Sequence, residues 1–152
     1  VVQTAPTEIF LDAGEAFSSV GKVTTGPYPG FPTDLQSALL SAMTVAQGRS
    51  EIEERIFEAR FQTADQLRRM GADLEIKGNR ARIRGVSSLH GTFVRAKELR
   101  GGAALVLAAL GAEGTTRIQD DGYMERGYED LAGDLKMLGA CIDKKSAVPE
   151  PL

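Results

Sequence analysis

Leu35, Leu39, Ala42 and Ala46 recur at the spacing of one helical face, which predicts a first helix ending near Gly48. Arg49 to Ile56, short and carrying isoleucine, predicts a strand. Thr63-x-x-Gln66 has the form of a capping box and opens a second helix through Leu67 and Met70 to Gly71. Leu74-Glu-Ile-Lys77 and Arg80-Ala-Arg-Ile-Arg84 alternate in polarity about Gly78-Asn79, the pattern of a β-hairpin. The order is α-β-α-β-β. Further on, a helix is expected from Arg100 to Ala112, a strand at Thr116–Gln119, a helix carrying Leu131, Leu135 and Leu138, and a strand at Cys141–Asp143. Thr92–Ala96 supplies one more strand between the two series.

The second series repeats the first. At an offset of 66, Ala38 aligns with Ala104, Leu39 with Leu105, Ala42 with Ala108, Gly48 with Gly114, Ile52 with Ile118 and Arg60 with Arg126. Gly71-Ala72 then matches Gly139-Ala140 at an offset of 68. A period this long makes each copy a whole supersecondary unit, and helices interspersed among strands imply an α/β domain. The expected organisation is leading strands and a Pro/Gly loop over 1–33, a first unit over 34–98, a second over 99–145, and a frayed tail over 146–152.

The loop Thr25-Gly-Pro-Tyr-Pro-Gly-Phe-Pro-Thr-Asp-Leu-Gln36 adds a candidate site. Its prolines hold Tyr28, Phe31 and Thr33 in narrow conformational ranges. Thr33 reads as an N-cap with Gln36 completing a capping box and Asp34 at the first helical position, where polar and anionic ligands are readily received. Asp34 and Arg100 both open a first helix, and Arg60 and Arg126 both lie between strand and second helix. Packing of the units about a pseudo-symmetry axis would face these corners into one cleft. Arg100 opposes the helix dipole there, by about 0.3–1 kcal/mol. An anion shared with the amides of Gly101 and Gly102 would offset that, as would a nearby carboxylate such as Glu98.

Composition narrows the possibilities. A chain of 152 residues buries roughly 68–70% of its unfolded surface, enough for a core. Its net charge of −3 argues against a general nucleic-acid or anionic-membrane surface, and the basic run Arg80–Arg84 reads as a solvated strand face. Ala103–Ala112, the longest apolar run, is about half the roughly 20 residues a membrane span needs. With one cysteine and no signal-peptide pattern, the expected compartment is the cytoplasm. His90 has no second histidine or cysteine near it, which disfavours a metal site, and Cys141 reads as a packing residue in its strand. Gly111-Ala-Glu-Gly114 lacks the lysine and spacing of a phosphate loop.

The segments Gly26-Pro-Tyr-Pro-Gly-Phe-Pro-Thr-Asp-Leu-Gln36, Ile56-Phe-Glu-Ala-Arg-Phe61, Arg69-Met-Gly-Ala72, Leu99-Arg-Gly-Gly-Ala-Ala-Leu-Val106, Ala112-Glu-Gly-Thr115 and Arg126-Gly-Tyr-Glu129 together carry a resemblance. From about Thr25 to Asp143 the chain resembles the UDP-N-acetylglucosamine enolpyruvyl transferases, or 1-carboxyvinyltransferases, of bacterial peptidoglycan synthesis. The resemblance implies an inside-out α/β barrel built from β-α-β-α-β-β units, of which this chain would hold about two. It implies transfer of the enolpyruvyl group of phosphoenolpyruvate to the 3-hydroxyl of UDP-N-acetylglucosamine, with release of phosphate and no cofactor. By the same resemblance Asp34 takes the base position beside the sugar hydroxyl, and Thr33 and Ile56 lie near the nucleotide. Arg60, Arg100 and Arg126 match arginines serving phosphoenolpyruvate or the closed state.

Three positions depart from that family's pattern: Glu98 and Glu125 stand where aspartate is common, and Ala59 where asparagine is. The family's loop cysteine and lysine-asparagine pair have no match here. The expectation is therefore a C-terminal part of such an enzyme, inactive alone, and pairing with the missing N-terminal part or with itself through uncovered apolar surface. Two readings stand beside it: a non-catalytic paralogue or sugar-nucleotide binding module, and the shikimate-pathway enolpyruvyl transferase.

Overall fold

Alternation of charged and apolar residues sets the strands, and small residues set the helices between them. The computed structural model describes residues 2–5, 7–11 and 17–145. Strands β1 (Val2–Ala5) and β2 (Glu8–Leu11) form an antiparallel pair. Next come β3 (Lys22–Thr24), α1 (Gln36–Met43), β4 (Arg49–Glu53), α2 (Ala64–Arg69), β5 (Asp73–Lys77) and β6 (Arg80–Arg84). Then come β7 (Phe93–Ala96), α3 (Leu99–Leu110), β8 (Arg117–Asp120) and α4 (Leu131–Met137).

The duplication is visible in the pairing. β3 runs parallel to β4 across α1, and β7 runs parallel to β8 across α3. The same long-range bond also recurs, from the segment after each helix back to the segment before the strand that precedes it: the Gln47 amide donates to Phe17 O at 2.7 Å, and the Glu113 amide to Leu89 O at 2.8 Å. β6 adds antiparallel to β4 and β5 to β6, giving a sheet ordered β3-β4-β6-β5.

Helices α1 and α3 pack against each other and each against its own sheet. Serine and alanine at the crossing let the backbones approach, so that Ser41 Oγ donates to Ala104 O at 2.8 Å. Leu40, Ile52, Leu67, Met70, Leu89, Val94 and Leu105 are buried around this crossing in one core. The sheet faces away from the helices are charged and face solvent, the inside-out arrangement expected. The hairpin also forms as expected, with Lys77 opposite Arg80 across Gly78-Asn79 and Arg80, Arg82 and Arg84 on the exposed face.

That outer face is laced by ion pairs. Glu53 accepts from Lys22 Nζ at 2.9 Å and Arg55 Nε at 2.9 Å, and Glu51 from Arg82 Nε at 3.2 Å. The hydrogen bonds from Lys22 and then Arg55 pull the Glu53 carboxyl from its ordinary 4.5 to about 2, against the opposing effect of burial. A carboxylate with a folded-state pKa below its unfolded value stabilises fully above the unfolded value, and loses that contribution as pH falls towards the folded one. The melting temperature should therefore fall as pH drops from 4.5 towards 2, and Glu53→Gln should flatten that part of the profile. An unchanged slope in the variant, read by circular dichroism, would remove Glu53 from the account.

Several boundaries differ from the sequence reading. α1 stops at Met43, because Thr44, Val45 and Ala46 donate to carbonyls three residues back and tighten the last turn. β4 stops at Glu53. Neither capping box closes. Thr33 opens a 3-10 turn, Thr33–Leu35, and its hydroxyl donates to Glu54 rather than serving the helix, which begins only at Gln36. Thr63 already has helical dihedrals, φ −72° and ψ −20°, so it is not set as an N-cap, and Gln66 Oε1 accepts instead from the Arg95 amide at 3.0 Å.

The second unit is less enclosed than the first. No strand forms at Cys141–Asp143, since no neighbouring strand among the described residues offers it a ladder. Cys141 is exposed, not packed. α4 forms, but none of its residues is buried, whereas α2 buries Ala64, Gln66 and Leu67. The expected tail over 146–152 lies outside the described residues. No described helix is long and apolar enough to cross a membrane.

Candidate active site

The corner where the two units meet is built by the first turns of α1 and α3 and by the turn after β4. Asp34 sits in the 3-10 turn leading into α1, and Arg100 in the first turn of α3. The packing of α1 on α3 brings them together: Arg100 Nε lies 2.7 Å from Asp34 Oδ1. Arg60, in the turn that leaves β4, places Nη2 at 3.2 Å from the same oxygen. One carboxylate oxygen thus receives two guanidiniums, leaving a positive surplus at an accessible corner. The Asp34 side chain is 60% exposed, Arg100 38% and Arg60 17%. Arg60 is further fixed over the Phe57 ring, 4.8 Å from its centroid.

The dipole conflict at Arg100 is thereby resolved by Asp34, not by a shared backbone site. Expectation and structure part at Gly101 and Gly102. Glu98 is the N-cap of α3 and accepts from the amides of Arg100, at 3.0 Å, and Gly101, while the Gly102 amide donates to Glu98 O. With those amides taken, an anion here must be held by side chains. Glu98 itself turns its carboxylate to the helix end, so it fixes Arg100 from behind. Gly101 permits this closeness: a Cβ there would lie 2.5 Å from Glu98 Oε1 and 2.3 Å from Thr63 Oγ1.

Arg126 is exposed in a 3-10 turn, Met124–Arg126, packed on α3. Gly102 abuts the Met124 side chain and Gly127 abuts Leu99, which sets Arg126 beside the helix end bearing Arg100. No ion pair links Arg126 to Asp34 among the described residues. Ile56 is 40% exposed just after Glu54, and Thr33 is half-buried next to Asp34. Ala59, at the departure noted above, has φ +52°, a left-handed conformation that asparagine tolerates better than alanine.

One residue of this corner was not visible beforehand. Glu54, 2% exposed, accepts from Thr25 Oγ1 at 2.8 Å, Thr33 Oγ1 at 2.9 Å, and the amides of Ile56 at 2.7 Å and Phe57 at 3.1 Å. Burial by itself raises the Glu54 carboxyl; the Ile56 amide, the two hydroxyls and the Phe57 amide outweigh it and leave it below the ordinary value. In sequence Glu54 is one of two adjacent glutamates within the expected strand 49–56, with nothing to separate it from solvent-facing Glu residues. A shallow concavity of about 650 Å³ lies instead on the charged outer sheet, lined by Arg49, Glu51, Arg82 and Arg84, and includes none of the site residues.

The family model for EPSP synthase (3-phosphoshikimate 1-carboxyvinyltransferase) matches residues 1–135. The chain belongs to that family. Within it, the chain is 53% identical over 134 residues to UDP-N-acetylglucosamine 1-carboxyvinyltransferase 1 of Legionella pneumophila (strain Lens), covering 88% of this chain and 26% of that protein. It is 49% identical over 123 residues to the UDP-N-acetylglucosamine 1-carboxyvinyltransferase of Finegoldia magna, covering 81% and 29%. The resemblance read from the motifs is borne out by these relatives. Among solved structures, the enolpyruvyl transferase NikO from Streptomyces tendae superposes with a TM-score of 0.78 at 29% identity, over 92% of this chain and 32% of that one. An EPSP synthase from Acinetobacter baumannii shares the fold at 21% identity and a TM-score of 0.52, over 61% and 24%. The chain thus spans between about a quarter and a third of these carboxyvinyltransferases.

Proposed function

We propose that this chain supplies the acceptor-activating and anion-holding part of an enolpyruvyl transfer from phosphoenolpyruvate to the 3-hydroxyl of UDP-N-acetylglucosamine. The observation that carries the reading is Asp34 Oδ1 held between Arg60 and Arg100. In this corner the two guanidiniums occupy the carboxylate. An incoming phosphate or carboxylate competes for them, because a planar guanidinium binds either bidentately. Anion binding then frees Asp34 to accept the proton of the sugar hydroxyl as its oxygen attacks C2 of phosphoenolpyruvate while C3 takes up a proton. The resulting tetrahedral ketal loses a proton from C3 and expels phosphate, restoring the double bond. Arg126 joins the anion's side of the site, Thr33 and Ile56 border the nucleotide, and Glu98 holds the helix end under Arg100.

The sugar-nucleotide acceptor, rather than a shikimate, is supported by relatives at about half identity bearing that name, against 21% to a solved EPSP synthase. The test is phosphate release with both substrates, from this chain alone and from the Legionella protein in which residues 25–143 replace the matching segment. The chain alone should be silent and the chimaera active with UDP-N-acetylglucosamine but not with 3-phosphoshikimate. A folded chimaera that binds the sugar nucleotide without releasing phosphate would favour a binding module and defeat the transfer reading.

A further inference from the structure

We infer that Glu54 is a positioning residue, a buried carboxylate that sets the spacing between Asp34 and Arg60 by holding the segments carrying both; in its catalytic consequence this rests on the proposed transfer. Glu54 has no ion-pair partner among the described residues, so its charge is met entirely by four neutral donors. A buried carboxylate is costly unless its lone pairs are filled, and here the filling groups come from two sides of the site. On one side Thr33 precedes Asp34 directly. On the other, the amides of Ile56 and Phe57 fix the turn whose Phe57 ring carries the Arg60 guanidinium.

Apart from the Thr25 amide, which donates to Glu53 O at 2.9 Å, and the Asp34–Arg60 pair itself, the backbone bonds of the 25–33 loop stay local to it. The Gly26 amide donates to Phe31 O at 3.0 Å and the Gly30 amide to Pro27 O at 2.7 Å, both within the loop, and Tyr28 at its tip is 98% exposed. Thr25 works from both ends: its hydroxyl donates to Glu54 and accepts from the Arg55 amide at 2.9 Å. Glu54 is therefore the side chain spanning from the loop of the base to the turn of the arginine. A glutamine would keep the volume but turn an amide nitrogen towards some of these donors, loosening one side or the other.

The first measurement uses this chain and the side-chain Nε–Hε signals of Arg60 and Arg100 in nitrogen-15 NMR. In Glu54→Gln and in Thr33→Val both signals should move towards the position of free arginine, while the amides of Ile52 and Val94 stay. The second uses the active chimaera. Glu54→Gln and Thr33→Val should each lower kcat at least about tenfold, Thr33→Ser, which keeps the hydroxyl, should recover most of what Thr33→Val loses, and the double variant should fall no further than the worse single one. Wild-type kcat in a folded Glu54→Gln protein, or losses that multiply in the double variant, would overturn the inference. So would arginine signals that stay put while the Ile56 and Phe57 amides shift. If Glu54→Gln does not fold, Thr33→Val against Thr33→Ser decides. If the unsubstituted chimaera does not turn over, the transfer reading fails and the arginine signals still test the positioning.

Discussion

Asp34→Asn in the active chimaera should lower kcat for enolpyruvyl transfer by roughly 10²- to 10⁴-fold, the range a positioned general base contributes. Asparagine keeps an acceptor at Oδ1 and nearly the same shape, so the corner stays assembled. What it loses is the ability to take a proton and the charge that holds Arg60 and Arg100, now 3.2 and 2.7 Å from that oxygen. The two losses push in different directions. Turnover falls, while inorganic phosphate, which competes with the carboxylate for the guanidiniums, should bind more tightly. Phosphate release gives the first quantity and calorimetric titration with inorganic phosphate the second. Weaker phosphate binding in the variant would mean that Asp34 is not the group holding the anion site closed, and unchanged kcat would remove it as the base.

Gly85→Ala should cost about 3 kcal/mol or more, lowering the melting temperature by roughly 10 °C in a domain of this size. A Cβ at Gly85 would stand 1.7 Å from Ala46 O and 2.7 Å from Ala46 C, and both are backbone atoms. No rotamer change relieves that contact. The backbone there is also tied down, with the Gly85 amide donating to Gly48 O at 3.1 Å and the Val86 amide to Thr44 O at 2.8 Å. To admit a methyl group, the end of β6 must move off the 44–48 turn, breaking both bonds and opening the buried Ala46 site. Gly26→Ala is the control, since a Cβ there meets nothing within 4 Å. Thermal unfolding of the two variants side by side decides it: equal melting temperatures would show that the turn yields without cost.

The hairpin and the recurring helix and strand positions were legible because each rests on local periodicity. The 66-residue offset between Leu39 and Leu105 or Ile52 and Ile118 marks helix and strand positions that recur in both units. Register at the hairpin follows from alternation about Gly78-Asn79. The local rules failed where side chains had better partners far along the chain. Thr33 and Gln66 fit capping boxes by spacing, yet Thr33 donates to Glu54, 21 residues away, and Gln66 accepts from Arg95, 29 residues away. Cys141–Asp143 has strand-like composition but no ladder beside it among the described residues, and strand formation depends on the neighbour rather than on propensity.

At the site the same division holds. Taken alone, the sequence singled out Asp34, Arg60, Arg100 and Arg126 as candidates, and its repeat gave the expectation that some of them meet, because matching positions of related units fall at matching corners. It took the packed chain to show that Asp34 meets Arg60 and Arg100 through a single oxygen, that Glu98 rather than a ligand satisfies the first amides of α3, and that Glu54 lies buried beside them. Those outcomes depend on distances between residues far apart in the chain, which the packing of α1 on α3 sets and no local pattern encodes.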